Sequence, residues 1–198
     1  LIYEYKGIKP VVHSTAFVHP QASVIGDVKI GKNVYVGSGA SLRGDIGRIV
    51  VGDGSNIQEN CILHMFPGKT VILGEKCHIG HGAIVHGAVL GSNCLVGMNS
   101  VVMDDVLLDE ECIVGAMTFI PAEKTFAKRS LIVGNPAKKI KEVSDDMIGW
   151  KTEGTSLYQE LCKESIETLK ECSPLREEPK FKKNHSSDYQ TWNSEKKK

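Results

Sequence analysis

The chain has 198 residues, with 24 Lys and Arg against 24 Asp and Glu, so its formal net charge is zero. That balance gives no electrostatic ground for nucleic acid or an anionic membrane as a partner. No apolar run approaches the ~18 residues of a membrane span, and LIYEYKGIKPVV has neither the basic nor the apolar region of a signal peptide, so a cytoplasmic location is expected. Aromatic residues make up only 6%, which suggests a thin, regular architecture rather than a conventional helix-and-sheet core.

From the N-terminus the dominant feature is a hexad. Val12, Val18, Val24, Ile30, Val36 and Leu42 fall six residues apart without a slip. The pattern resumes at Val51, Ile57 and Leu63, and again at Leu73, Ile79 and Val85. One residue is then dropped, and Leu90, Val96, Val102, Leu108, Val114 and Ile120 follow in sixes. Four residues after each aliphatic stands a small or β-branched side chain, such as Ala22, Val34, Ser55, Cys61, Ala83, Val89 or Cys94. Gly often follows the aliphatic directly. Six is no multiple of 3.6, and Gly at this density would cost about 1 kcal/mol each in a helix. An ordinary strand would alternate with period two and stop after ~5–6 residues. The hexad fits a parallel β-helix with one inward aliphatic and one inward small residue per side. Its resemblance to hexapeptide-repeat solenoids implies a three-sided, left-handed coil, and eighteen hexads then predict six coils. The longer steps Leu42 to Val51 and Leu63 to Leu73 predict two loops bulging from the stack.

After Ile120 the pattern is read as ending, and the β-helix domain is assigned to residues 1–137. Ser144 is a candidate N-cap, with Asp145 and Asp146 in the first turn of one or two helices over roughly 144–172. Met147, Trp150, Tyr158, Leu161, Ile166 and Leu169 form the expected apolar face, with a break at Gly154. The helical segment is assigned to 138–173, and residues 174–198 read as a polar, disordered tail whose Lys run is a solvated end.

Cys61, Cys77, Cys94 and Cys112 occupy the small inward position, so they read as packing residues. Cys162 and Cys172 lie in the helical region with nothing to suggest pairing. Of seven histidines, four lie between positions 64 and 86. His64 follows Leu63 and His86 follows Val85, three hexads on, which places both imidazoles at one corner of successive coils. Such a pair suits one tetrahedral metal. His81 follows Ile79 by two and points elsewhere, so a symmetric trimer, with His81 from a neighbouring subunit, is the simplest way to complete the site. His13 and His19 also follow inward valines and read as plain corner residues; His185 lies in the tail, and His78 is a candidate supporting residue.

RGDIGRIVVGDGSNIQENCILH, CHIGHGAIVHG, VGMNSVVM and IVGNPAK resemble the γ-class carbonic anhydrase superfamily. WKTEGTSLYQELCKESIETLKECSPLR is similar to the branch of the carnitine-operon protein E and the phenylacetate-degradation protein Y. The resemblance implies a mainly β fold, a left-handed parallel β-helix with a C-terminal α-helix. It also implies a homotrimer with metal sites between subunits and His64, His81 and His86 as ligands. Gln58 matches a residue that hydrogen-bonds metal-bound water, Arg43 and Asp45 match a pair that links subunits, and Asn56 stands beside Gln58. Three imidazoles suit zinc, with iron or cobalt as other candidates. The resemblance fails where the founding enzyme carries acidic proton shuttles, since Ile46 and Pro67 stand there.

The activity so implied is reversible CO2 hydration by metal-bound hydroxide, on a small-molecule substrate and with no nucleic acid or membrane partner. Acyl-CoA thioester hydrolysis by the same site is the alternative, as is a non-catalytic accessory role in carnitine or phenylacetate CoA metabolism. Hexapeptide acyl transfer fits less well, because it relies on a lone histidine.

Overall fold

The computed structural model describes residues 1–179 and 188–195. Short strands wind in a left-handed parallel β-solenoid. One face stacks the starts of strands Ser23–Ile30 and Ser41–Val51, then Ile62–His64, Ile84–His86, Val101–Val102 and Phe119–Ile120. A second face runs from Val11–Val12 through the ends of the same two long strands to Thr70–Leu73, Val89–Leu90, Leu107–Leu108 and Thr125–Phe126. The third carries Phe17–Val18, Tyr35–Val36, Asn56–Ile57, His78–Ile79, Leu95–Val96, Ile113–Val114 and Ser130–Gly134, and is closed by the antiparallel Ala137–Glu142.

The third face therefore stacks seven parallel strands, and the solenoid makes about seven turns rather than six. The hexad does not stop at Ile120: Phe126 and Ile132 continue it in sixes, and Ile132 is fully buried. The bulging loop expected between Leu42 and Val51 is also absent. Ser41–Val51 is one continuous strand that turns the corner. The extra residues of the next coil lie alongside it, with Arg48 opposite Thr70 and the Gly68 N–H donating to the Ile46 carbonyl at 3.2 Å. Insertions at the same corner of successive coils satisfy each other's backbone groups.

Inside, Val24, Leu42, Leu63, Val85, Val102 and Ile120 form a single buried column. At the dropped residue Ala88, not Val89, takes the buried place. The four hexad cysteines are free and buried, as expected of packing residues. Their thiols also face carbonyls of the next coil, such as Cys61 Sγ to Gly80 O at 3.1 Å and Cys94 Sγ to Asp109 O at 3.1 Å. Ser55 and Ser100 do the same with Gly74 and Gly115. At these coils the small inward position thus carries a donor at its tip, whereas others hold Ala or Val and the Thr118 hydroxyl has no partner among the described residues. Gly97 answers a different need, because a Cβ there would stand 2.4 Å from Ala116 N on the next coil.

Helix α1 (Asp145–Thr168) begins at Ser144, whose Oγ accepts from Met147 N at 3.3 Å. It is a single helix, running through Gly154 without a break. It lies along the third face, with Met147 against Ile113 and Val143 near one end and Cys162 against Phe17 and Tyr35 near the other. The buried residues include Lys151, Gly154 and Thr155, while Leu161, Ile166 and Leu169 are exposed, so the apolar face read from the sequence is only half right. Cys172 lies beyond the helix and is exposed. Of the tail, residues 180–187 (with His185) and 196–198 lie outside the described residues. In the described part Tyr189 stacks on Trp150 at 5.9 Å, and a short helix α2 (Trp192–Glu195) brings Trp192 to 6.0 Å from the same ring.

Candidate metal centre

His64 and His86 are partners in the parallel register of Ile62–His64 and Ile84–His86. Both follow an inward aliphatic, so both side chains leave the coil at one corner. His64 Nδ1 stands 3.2 Å from His86 Nε2. Two nitrogens bound at ~2.0–2.1 Å to one tetrahedral metal would be about 3.3–3.4 Å apart, so the pair is already spaced for one. The same distance also suits an N–H···N hydrogen bond between the rings.

The other ring nitrogens add a second argument. His64 Nε2 faces Asp45 Oδ1 at 3.1 Å, and His86 Nδ1 faces the Asp104 carboxylate at 2.8 and 2.9 Å. With each carboxylate accepting the N–H behind it, the remaining lone pairs would face the gap, as in metal sites. Burial would raise the Asp45 carboxyl, but hydrogen bonds from His64 and from Arg43, whose Nη1 is at 2.5 Å, hold it below the usual range. Arg43 thus pairs with Asp45 within its own chain. His13 and His19, by contrast, use Nδ1 to accept from Thr15 N and Gln21 N, and so cap corners.

His81 lies on a different corner. Its Nδ1 is 2.7 Å from Glu59 Oε2, and its Nε2 is 3.5 Å from the Tyr158 hydroxyl of α1. Among the described residues, no group of three or more His, Cys, Asp or Glu side chains in one chain is placed to hold a metal. The three histidines are therefore arranged two and one, and each has its own carboxylate. Gln58 and Asn56 stand with His81. The buried Gln58 amide donates to Asn56 Oδ1 at 2.9 Å and to His78 Nε2 at 2.7 Å, and its Oε1 accepts from His81 N at 3.2 Å. Burial first, then Lys151 and His81, push His78 down to about 3, so it is neutral and accepts from Gln58. Sequence reasoning missed Glu59 and Asp104. Each lies one coil away from the histidine it supports, and nothing in the spacing alone marked the pairing.

The solenoid and its corner histidines define a hexapeptide-repeat protein, and a family model described as bacterial transferase hexapeptide (six repeats) matches residues 9–44 and 87–122. The chain belongs to the hexapeptide-repeat family, in the branch of the carnitine operon proteins. It is 50% identical over 175 residues to carnitine operon protein CaiE of Escherichia coli K12, covering 88% of this chain and 89% of that one. Among solved structures, a hexapeptide transferase family protein from Anaplasma phagocytophilum is 36% identical with a TM-score of 0.79, covering 82% of this chain and 96% of that one. A putative acetyltransferase from Bacillus cereus is 30% identical with a TM-score of 0.81, covering 82% and 94%. No helix among the described residues is long and apolar enough to cross a membrane.

Proposed function

We propose that this chain is a metal-dependent, γ-carbonic anhydrase-like protein that hydrates CO2 reversibly at sites between the subunits of a homotrimer. The observation that carries the reading is the His64–His86 pair, spaced at 3.2 Å and backed on both sides by carboxylates. Zinc suits three imidazoles, and when bound it supplies a Lewis acid and a nucleophile drawn from water at neutral pH. The chain's own residues do the positioning. Asp45 and Asp104 orient His64 and His86, and Glu59 orients the His81 of a second subunit, which brings Gln58 with it.

Two exposed apolar patches support the assembly. Met98 and Met117 stand on the corner column of His81, while exposed Ile62 shares the strand of His64 and exposed Phe66 meets His86 edge-on. Patches on two different surfaces of one chain suit a head-to-tail contact, which closes as a ring when its rotation is a third of a turn. Ile46 and Pro67 supply no carboxylate, and Asp45 and Asp104 are engaged by histidines. The released proton therefore passes to buffer.

Metal analysis of the purified protein, followed by CO2 hydration assays, tests the reading. We expect near one metal per chain and modest hydration that rises with imidazole-type buffer. Pro67→Glu lowers that buffer dependence. A metal-replete trimer without CO2 hydration at any buffer concentration would falsify it. The similarity to a putative acetyltransferase keeps acyl-group chemistry as a second reading. Acetyl-CoA consumption that depends on His64 and needs no amine acceptor points to hydrolysis, and consumption only with an acceptor points to transfer.

A further inference from the structure

Between α1 and the outer side of the third face lies a cleft of about 730 Å³. Its floor is the column His78, Leu95, Ile113 and Leu131 on successive strands. Met147, Trp150, Leu157 and Tyr158 of α1 form the roof. Beyond Leu131 the floor ends at Lys141, its partner on the antiparallel strand. Strands lie ~4.8 Å apart, so the four steps from His78 to Lys141 span roughly 19 Å.

The two ends differ in chemistry. At the first, His81 is paired with Glu59, His78 is neutral and the Gln58 amide is committed to Asn56 and His78, so the Tyr158 ring offers the apolar contact surface. At the other the Lys141 ammonium is exposed, and among the described residues no carboxylate pairs with it. Between them the lining is apolar apart from the Tyr189 hydroxyl, with the Tyr189 and Trp192 rings of the tail contributing beside Trp150. A small elongated site with one free cation and an apolar body complements a molecule with one anionic head and an apolar chain.

We infer that the cleft binds a medium-chain fatty carboxylate, with its head on Lys141 and its chain along Ile113 and Leu95 toward Tyr158. A saturated chain of about twelve carbons, at roughly 1.3 Å per carbon plus its carboxylate, matches the span. This goes beyond CO2 hydration and needs no metal; Gln58, His81 and Met98 at the first end also belong to the proposed subunit junction, whereas Lys141 and Leu157 do not, so tests at those two residues separate the readings.

The test is calorimetric titration of the full chain with dodecanoate and with dodecan-1-ol, with Trp150 and Trp192 fluorescence as a second readout. We expect one dodecanoate per chain. Lys141→Gln should weaken dodecanoate about tenfold, the loss of one charge-assisted contact, and leave dodecanol unchanged. Leu157 is half-exposed at 42%, so Leu157→Trp keeps the fold, fills the roof and abolishes both. No saturable binding, or binding untouched by Leu157→Trp, removes the site. Equal binding of acid and alcohol with no effect of Lys141→Gln removes the head-group assignment.

Discussion

Gly87 ties the backbone to the histidine pair. Its φ is +58°, and a Cβ there would stand 2.2 Å from Asp104 Oδ1, the atom that faces His86 Nδ1. Gly87→Ala therefore has two consequences. The left-handed conformation costs about 1–2 kcal/mol for a residue with a Cβ, and Asp104 must swing away from His86. We expect a lower melting temperature in metal-free protein, and zinc affinity reduced about 10–100-fold, the usual effect of losing a supporting carboxylate. Asp104→Asn separates the two effects, because it should lower zinc affinity while nearly keeping the melting temperature. Wild-type zinc affinity in Asp104→Asn would show that the carboxylate is idle. The candidate ligands were legible in the sequence because hexad phase tells which corner a residue occupies. Their carboxylates were not, since Asp104 and Glu59 come from adjacent coils and phase says nothing about which side chains reach across the coil spacing. The hydrogen bonds by which His13 and His19 cap their own corners were likewise hidden, because each follows an inward aliphatic just as His64 and His86 do.

At the scale of elements, α1 is held to the solenoid by an unlikely anchor. Lys151 is 1% exposed, and its ammonium donates to Lys76 O and to Asn93 Oδ1, both at solenoid corners with positive φ. Burial dominates and pushes the amine down to about 8, against about 10.4 in an unfolded chain. Below about pH 8 the amine is protonated in both states, and folding buries a charge. Between the two values the folded state releases its proton first, so stability rises with pH. The contribution is complete above the unfolded value and is lost as pH falls through about 8, and it amounts to at most about 3 kcal/mol. Urea denaturation at about pH 7.5 and 9.5 should show a gain in the wild type that Lys151→Met lacks; equal pH dependence in the two would discard the assignment. A lysine on the buried face of α1 is also why only half of that face was legible in the sequence. Apolar periodicity points to Leu161, Ile166 and Leu169, whereas the helix turns Lys151 and Cys162 to solenoid carbonyls that need donors, and buries Thr155, whose hydroxyl donates back to Lys151 O. The hexads past Ile120 were missed for a related reason: Phe126 and Ile132 are not followed by the Gly that marks so many earlier corners.

At the scale of the molecule, the fold was legible because one repeat wrote it many times, while the site was legible only as two fragments on different corners. The proposed centre joins them through a partner subunit. His64 and His86 project beside Ile62 and Phe66, and His81 projects beside Met98. In a cyclic trimer each site then combines the pair of one subunit with the His81 of the next. His64→Ala and His81→Ala proteins should each lose most of their metal. Any mixed trimer of the two has one junction at which a subunit with His64 intact meets a neighbour with His81 intact. Random exchange of equal amounts makes about three-quarters of the trimers mixed, each with one working site of three, so about a quarter of wild-type metal should return. The measurement is zinc per chain before and after mixing under mild dissociating conditions, with exchange followed by native mass spectrometry. A site within single subunits predicts no recovery however completely the subunits exchange. Recovery without exchange would mean that one mutant retained its metal. Mixed trimers that stay empty would remove the intersubunit assignment, and with it the structural basis for metal-dependent CO2 hydration.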